Sequence, residues 1–584
     1  MPPLYRRDAS WAPLRSTRAT SAAETCRATR SGVGCGICGG PSLQPERRAK
    51  LPNPVYGGLS PAGQHNRTRL SPSRYQSSQA SFRRSAGSGS RLLVMDQAPG
   101  STPTPLTPAP TPPPIWQRPV SRRTVLATAA GGAGAAALAA LWRGGSLAQV
   151  LNRVQGLTHT YEGVFSSERT RVAHLLRRAG FGASPQELDR LTGMGTAAAT
   201  NALLNYQQTS NQQLEASLPG FDPTVTSNGG RQASALQAWW LTRMVGTARP
   251  LEEKMTLFWH GLLTSGLDKS GPGQLYQQNQ LFRRTAMGNF DDLLKAVSKD
   301  PAMMVYLDTE TNRNGKPNEN YARELMELFT TGIGHYSEDD VRESARAFTG
   351  WTLGRGKQRD ALTSTFVARY HDEGVKTFMG KTGTFTGDDI VDMLVPLRAT
   401  AERLTTRLFS YFAYPNPEPE IVQHLADVFQ KNGYNVGAVV KEILTMDAFY
   451  SPKAYRALVK SPTEYVAQTL RAVGATSVSA PAVAATGQMG QVLFYPPNVA
   501  GWPAGASWIN SSTLLTRINF AAGVAQKAAP ASTFKGLPGL IDTFIDGNVT
   551  PSTRDALTQA ATGTGQIPVT LMYFVLATPE YQLN

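Results

Sequence analysis

From about Ser166 to the C-terminus, apolar residues recur at helical spacing between glycine turns and N-cap signals, which restricts the chain to a predominantly helical fold. The unit is already complete near the start of this region. Glu168 to Arg178 (ERTRVAHLLRR) has an amphipathic period, Gly180-Phe181-Gly182 breaks it, and Ser184-Pro185-Gln186-Glu187 supplies a cap, a first-turn proline and an acidic third position for the next helix. The same reading predicts helices over 233–245, 251–263, 274–287, 290–298, 390–397, 401–411, 418–431, 436–444, 462–473 and 512–522. Strand signal is confined to Val375–Phe385, where alternation flanks a Gly-Lys-Thr-Gly turn and suggests a hairpin. The expected fold class is mainly α: one large multi-helix domain over 166–584, with possible halves at 166–415 and 416–584 and a small β-hairpin near 375–385.

The first quarter is of a different kind. Residues 1–148 hold 19 Lys and Arg against 4 Asp and Glu, leaving 39 basic and 38 acidic side chains for the rest, so the overall charge of +16 belongs to the leader. A basic stripe suited to nucleic acid is therefore missing from the body. All three cysteines (Cys26, Cys35, Cys38) precede Met95, and a single CxxC without a second ligand pair is weak evidence for zinc. Residues 1–94, rich in Arg, Ser, Gly and Pro without an apolar period, read as an upstream extension, with Met95 as the start. Residues 95–148 then read as an export signal. A Pro/Thr-rich lead precedes Ser121-Arg122-Arg123-Thr124-Val125-Leu126, an Ala/Gly-rich apolar run extends to Trp142, and Ser146-Leu147-Ala148 forms a small-x-small cleavage site. This resembles a twin-arginine signal peptide and implies the twin-arginine export machinery as a partner, a periplasmic or extracellular destination, and no stable membrane span after cleavage. Residues 149–165 read as a linker.

The densest run of reactive side chains is Asn318–Trp351 (NENYARELMELFTTGIGHYSEDDVRESARAFTGW). Its first helix is expected after Pro317, with Asn318 as N-cap and a stop near Gly332; its second opens at Ser337, with Asp340 completing a capping box. On a helical wheel Glu319, Asn320, Arg323, Glu324 and Glu327 share one face, opposite Tyr321, Leu325, Leu328 and Phe329. Two readings of the polar face stand. In one, Glu319, Arg323 and Glu327 form a solvated i,i+4 ladder. In the other, the carboxylates line a cleft, where mutual repulsion shifts their pKa values and suits them to acid, base or ligand roles.

That segment, read with LLRRAGFGASPQELDRL (Leu175–Leu191), Phe258-Trp259-His260, YHDEGVKTFMG (Tyr370–Gly380) and FYPPNVAGWPAGASWINSSTLLTRINF (Phe494–Phe520), resembles domain-of-unknown-function family 1800. The five motifs occur in order and cover nearly the whole body. The resemblance implies an exported bacterial protein, often encoded beside a second exported protein related to sulfatases and alkaline phosphatases; it supplies no catalytic residues.

The residues themselves nominate a site. His335 lies in the turn between the acidic helices, and His371, followed by Asp372 and Glu373, lies in a glycine-closed loop. Convergence of His335 and His371 with Glu324 or Glu327 would hold a divalent metal or handle a substrate proton, with Glu319 and Asp372 as further acid, base or ligand candidates. Against this, His335 also suits a helix C-terminus and His371 a hydrogen-bonded loop. No HExxH spacing is present. Arg323, Trp351, Trp502 and Trp508 are the candidate substrate contacts; salt bridging is the alternative for Arg323, and core packing for the Trp502/Trp508 loop. His260 reads as an aromatic-packed histidine and His174 as structural. The body has no GxSxG, no cysteine and no phosphate loop, which removes the familiar nucleophile and nucleotide classes. An envelope or extracellular enzyme using a carboxylate/His site, hydrolytic or metal-assisted, is the leading expectation. A non-catalytic binding partner of the co-encoded sulfatase- or phosphatase-like protein is its competitor.

Overall fold

The computed structural model describes residues 163–226, 229–354, 361–528, 534, 536–563 and 567–584. The Cys35/Cys38 pair, Met95, the twin-arginine segment and the linker up to residue 162 lie outside the described residues. Among those described, helices dominate, with two small antiparallel hairpins. The helix Glu168–Arg178 has the boundaries its pattern predicts. The next begins at Pro185, where the Ser184 hydroxyl accepts from the Glu187 N–H at 3.2 Å. The body starts slightly earlier than expected, because Phe165, in a short turn over Val164–Ser166, packs edge-on against His174, Tyr450 and Tyr455.

Side chains gather into two cores. The first draws on Val172–Leu203, Phe290–Val297, Tyr321–Phe348, Ile390–Phe412 and Leu425–Ala454. The second joins Leu236–Val245 to Tyr465–Ala472 and to the helices Ser511–Ala528, Gly536–Ile545, Pro551–Gly563 and Pro568–Leu576. The halves expected on either side of 415/416 do not match this division, since that boundary falls inside the first core. The helix Pro250–Leu262 is shared: Leu251, Met255, Phe258, Trp259 and Leu262 enter the first core and Leu257 the second, so all but one of its residues are buried.

The expected hairpin is present as β3 (Lys376–Phe378) and β4 (Lys381–Gly383), but its turn is Met379-Gly380, one residue ahead of the glycine quartet. Both turn residues have positive φ (48° and 76°), as a two-residue loop matching strand twist requires. A second hairpin, β1 (Trp351–Leu353) with β2 (Ser364–Phe366), was not expected; its strands are too short to show alternation.

Candidate functional site

The acidic segment folds as two helices joined by an irregular turn. The first is α-helical only over Asn320–Glu324, with Glu319 rather than Asn318 at the N-cap position, and then widens into a π-turn over Leu325–Phe329. Asn318 still acts locally, its Oδ1 accepting from Asn320 N at 3.0 Å. The end of the π-turn is closed by Thr330 Oγ1 and Thr331 Oγ1, which donate to Leu325 O (2.6 Å) and Met326 O (3.2 Å). The second helix, Glu338–Ala347, has the predicted capping box: Ser337 Oγ accepts from Asp340 N at 3.1 Å, and Asp340 Oδ2 accepts from Ser337 N at 2.9 Å.

The π-turn undoes the expected ladder. A wider turn advances each residue less around the axis, so Glu327 leaves the Glu319/Arg323 face. Arg323 instead pairs with Glu338 through two bonds of 2.8 Å and with Glu319 at 3.2 Å. Glu327 accepts from Tyr336 Oη at 3.2 Å and shares its charge with Arg403, which reaches in from the helix Arg398–Phe412. Glu324 is half-buried and makes no ion pair or side-chain hydrogen bond among the described residues. Burial, and then the Glu327 charge, hold its carboxyl above the ordinary value.

Arg403 and Arg407, one turn apart, carry no ion pair among the described residues, and Arg403 Nε is buried without an acceptor. Burial, reinforced by Arg403, brings Arg407 down to about 10. Sequence reasoning passed over these arginines and Tyr336. The available signal was two arginines at i,i+4 with Ala399, Thr400, Ser410 and Tyr411 at the flanking helical positions and no acid to neutralise them.

The other nominated residues are dispersed. His335 is exposed in its turn. His371 Nδ1 is 2.9 Å from Thr349 O, and its ring packs on Phe366. Asp372 is taken up by Arg346 in two bonds of 2.8 and 3.1 Å, and Arg346 also holds Glu343 (2.7 Å) and Val375 O (3.1 Å). Arg346, followed by a smaller contribution from the Gly374 N–H, keeps the Asp372 carboxyl below its ordinary value despite partial burial. The loop 370–380 is thus fastened to the second acidic helix, and Asp340 Oδ1 completes the seam by accepting from Met379 N at 2.7 Å. The expected metal centre of His335, His371, Glu324 and Glu327 is not assembled: among the described residues no group of three or more His, Cys, Asp or Glu is placed to hold a metal ion.

The tryptophans divide. Trp508 is only 5% exposed and belongs to the packing, so it is withdrawn as a substrate contact. Trp502 is half-buried against His260, whose ring also meets Trp240 and Phe494; burial lowers that imidazole to about 3. The loop can sit this close because Gly501 (φ 85°) abuts Gly261 O, where a Cβ would clash. Trp351 lies half-buried beneath Lys299, at 5.4 Å, and beside Phe366. Among the described residues no helix is long and apolar enough to cross a membrane.

Neither a curated protein nor a solved structure matches the chain. A family does: the sequence profile described as protein of unknown function, DUF1800, matches residues 174–583, which include the acidic helices, the stapled loop and the Trp502 loop. With most of its length so matched, the chain belongs to the DUF1800 family.

Proposed function

We propose that the protein is an exported hydrolase of the cell envelope or extracellular space. Glu324 is its general acid, Glu327 the companion carboxylate, and Arg403 with Arg407 the contacts for an anionic or polyhydroxylated substrate. One observation carries this reading: in a segment whose other carboxylates have partners, Glu324 has none and is shifted toward its protonated form. Two neighbouring carboxyls in unlike environments are the arrangement that separates an acid from a base. Glu324 would protonate the leaving oxygen while Glu327, oriented by Tyr336, draws a proton from water. Export rests on the Ser121–Leu126 segment and its apolar run; replacing both Arg122 and Arg123 with Lys should retain the protein in the cytoplasm.

The test is hydrolysis of envelope polysaccharide and peptidoglycan by the purified body. Glu324→Gln should lower kcat by about 10²-fold or more with an unchanged circular dichroism spectrum. Turnover that survives both Glu324→Gln and Glu327→Gln removes the site. A second reading, a non-catalytic partner of a co-encoded sulfatase- or phosphatase-like protein, is favoured by Ile333, 77% exposed at the tip between the acidic helices. Co-purification with that protein, lost in Ile333→Asp but kept in Glu324→Gln, would select it.

A further inference from the structure

Away from the candidate site, the helices Glu168–Arg178 and Pro462–Ala472, the end of Gly536–Ile545 and the C-terminal turn line a partly open cavity of about 30 Å³. That exceeds the ~10–15 Å³ one water takes up on the same measure. Two side chains on its wall carry a nitrogen without an acceptor among the described residues. Lys460, 1% exposed, has its Nζ 3.7 Å from the centroid of the Tyr581 ring and makes no side-chain hydrogen bond or ion pair among the described residues. Arg177 gives Nη1 to Asp546 Oδ1 at 2.5 Å, while its Nη2 is buried without a partner. Asp546, on the same wall, also accepts from Tyr455 Oη at 3.2 Å through its second oxygen.

The surroundings favour an uncharged amine and an added anion. Burial, reinforced by Arg177 and Arg456 against the opposing charges of Asp546 and Glu464, holds the Lys460 amine well below its ordinary value. Glu464 is already committed to Lys254, so it offers Lys460 little compensation. A buried lysine of this kind keeps its lone pair available near neutral pH.

We propose that Lys460 is a carbamylation site, where dissolved carbon dioxide adds to the amine to form N-carboxylysine and the new carboxylate accepts from Arg177 Nη2. The Nζ lone pair forms the N–C bond, one C=O π pair moves onto oxygen as the anionic charge, and one Nζ proton leaves to water and the buffer. No oxidant or reductant is involved. The product brings an acceptor to the unpaired Arg177 nitrogen, adding a negative charge beside that guanidinium. The volume is sufficient for a triatomic electrophile.

The experiment equilibrates the full folded protein with carbon-13 bicarbonate at pH 8 and records its carbon-13 spectrum, then traps the adduct with triethyloxonium and maps it by peptide mass spectrometry. Wild type should show a carbamate resonance, the trapped mass should fall on the peptide containing Lys460, and acidification should discharge it. Lys460→Gln should lose the resonance, and Arg177→Gln should need roughly tenfold more carbon dioxide for equal occupancy. A wild-type spectrum lacking the resonance at saturating bicarbonate, or a trapped mass on another lysine, overturns the proposal. Because trapping is read on wild type, the result stands even where Lys460→Gln does not fold.

Discussion

Two regions of this protein gather charged side chains, with opposite consequences. On the acidic helices, Arg323 bridges Glu319 and Glu338 in the open, with Glu338 68% exposed. In the interior, Glu253 is fully buried and accepts from Trp240 Nε1 (3.0 Å), Arg243 Nε (2.7 Å) and Arg283 (2.6 and 2.9 Å), while both guanidiniums lie over Trp239. Burial alone would raise the Glu253 carboxyl; Arg283 and Arg243 outweigh it, and the net displacement is downward. Exposed charges are screened and replaceable, whereas a buried ion survives only while its partners remain. Density of charge along a sequence therefore says little about where charge matters to the fold.

The contrast is open to breakage, beginning with the interior. Glu253→Gln leaves the buried Arg283 without a carboxylate and Arg243 with Glu215 alone, and should lower unfolding stability by about 3 kcal/mol, read from denaturant midpoints; a loss under 1 kcal/mol would mean the interior tolerates charge as the surface does. An intermediate effect is expected at Asp300, a buried helix cap bonded to Gln278 Nε2 (2.8 Å) and Met303 N (3.1 Å), which burial pushes up to about 7. A carboxyl whose folded value lies above its unfolded value near ~4 binds its proton more tightly in the fold. Its stabilisation is thus fully present below ~4 and lost as pH rises through about 7. The melting temperature should fall between pH 5 and pH 8, and Asp300→Asn, which keeps the cap acceptor, should flatten that fall. The smallest effect belongs to Arg323→Ala, which should shift the melting temperature by less than about 1 °C and less still at high salt.

The same contrast explains what could be read from the chain. Helices with a cap and an apolar period were legible, as Ser184/Pro185 and Ser337/Asp340 show. Those built from Ala, Thr and Gly, such as Thr196–Leu204 and Ala480–Gln488, were not, because short side chains give no period to detect. The Glu253 network was hidden for a related reason. PLEEKMTLFWH looks like a solvent-facing helix start with first-turn acids, yet the helix is enclosed by both cores. At the candidate site, the carboxylates and the second cap were visible, but a wheel drawn for a regular α-helix could not anticipate the π-turn that separates Glu327 from Arg323. Arg403 and Arg407 approach from some 80 residues downstream, a juxtaposition that no local pattern encodes.

The shared helix Pro250–Leu262 has a consequence for how the two cores depend on each other. Five of its apolar side chains enter the first core and Leu257 the second, and Glu253 on the same helix is fully buried. Loosening either core therefore uncovers one flank of a buried ion, so the two should melt as one cooperative unit rather than in succession.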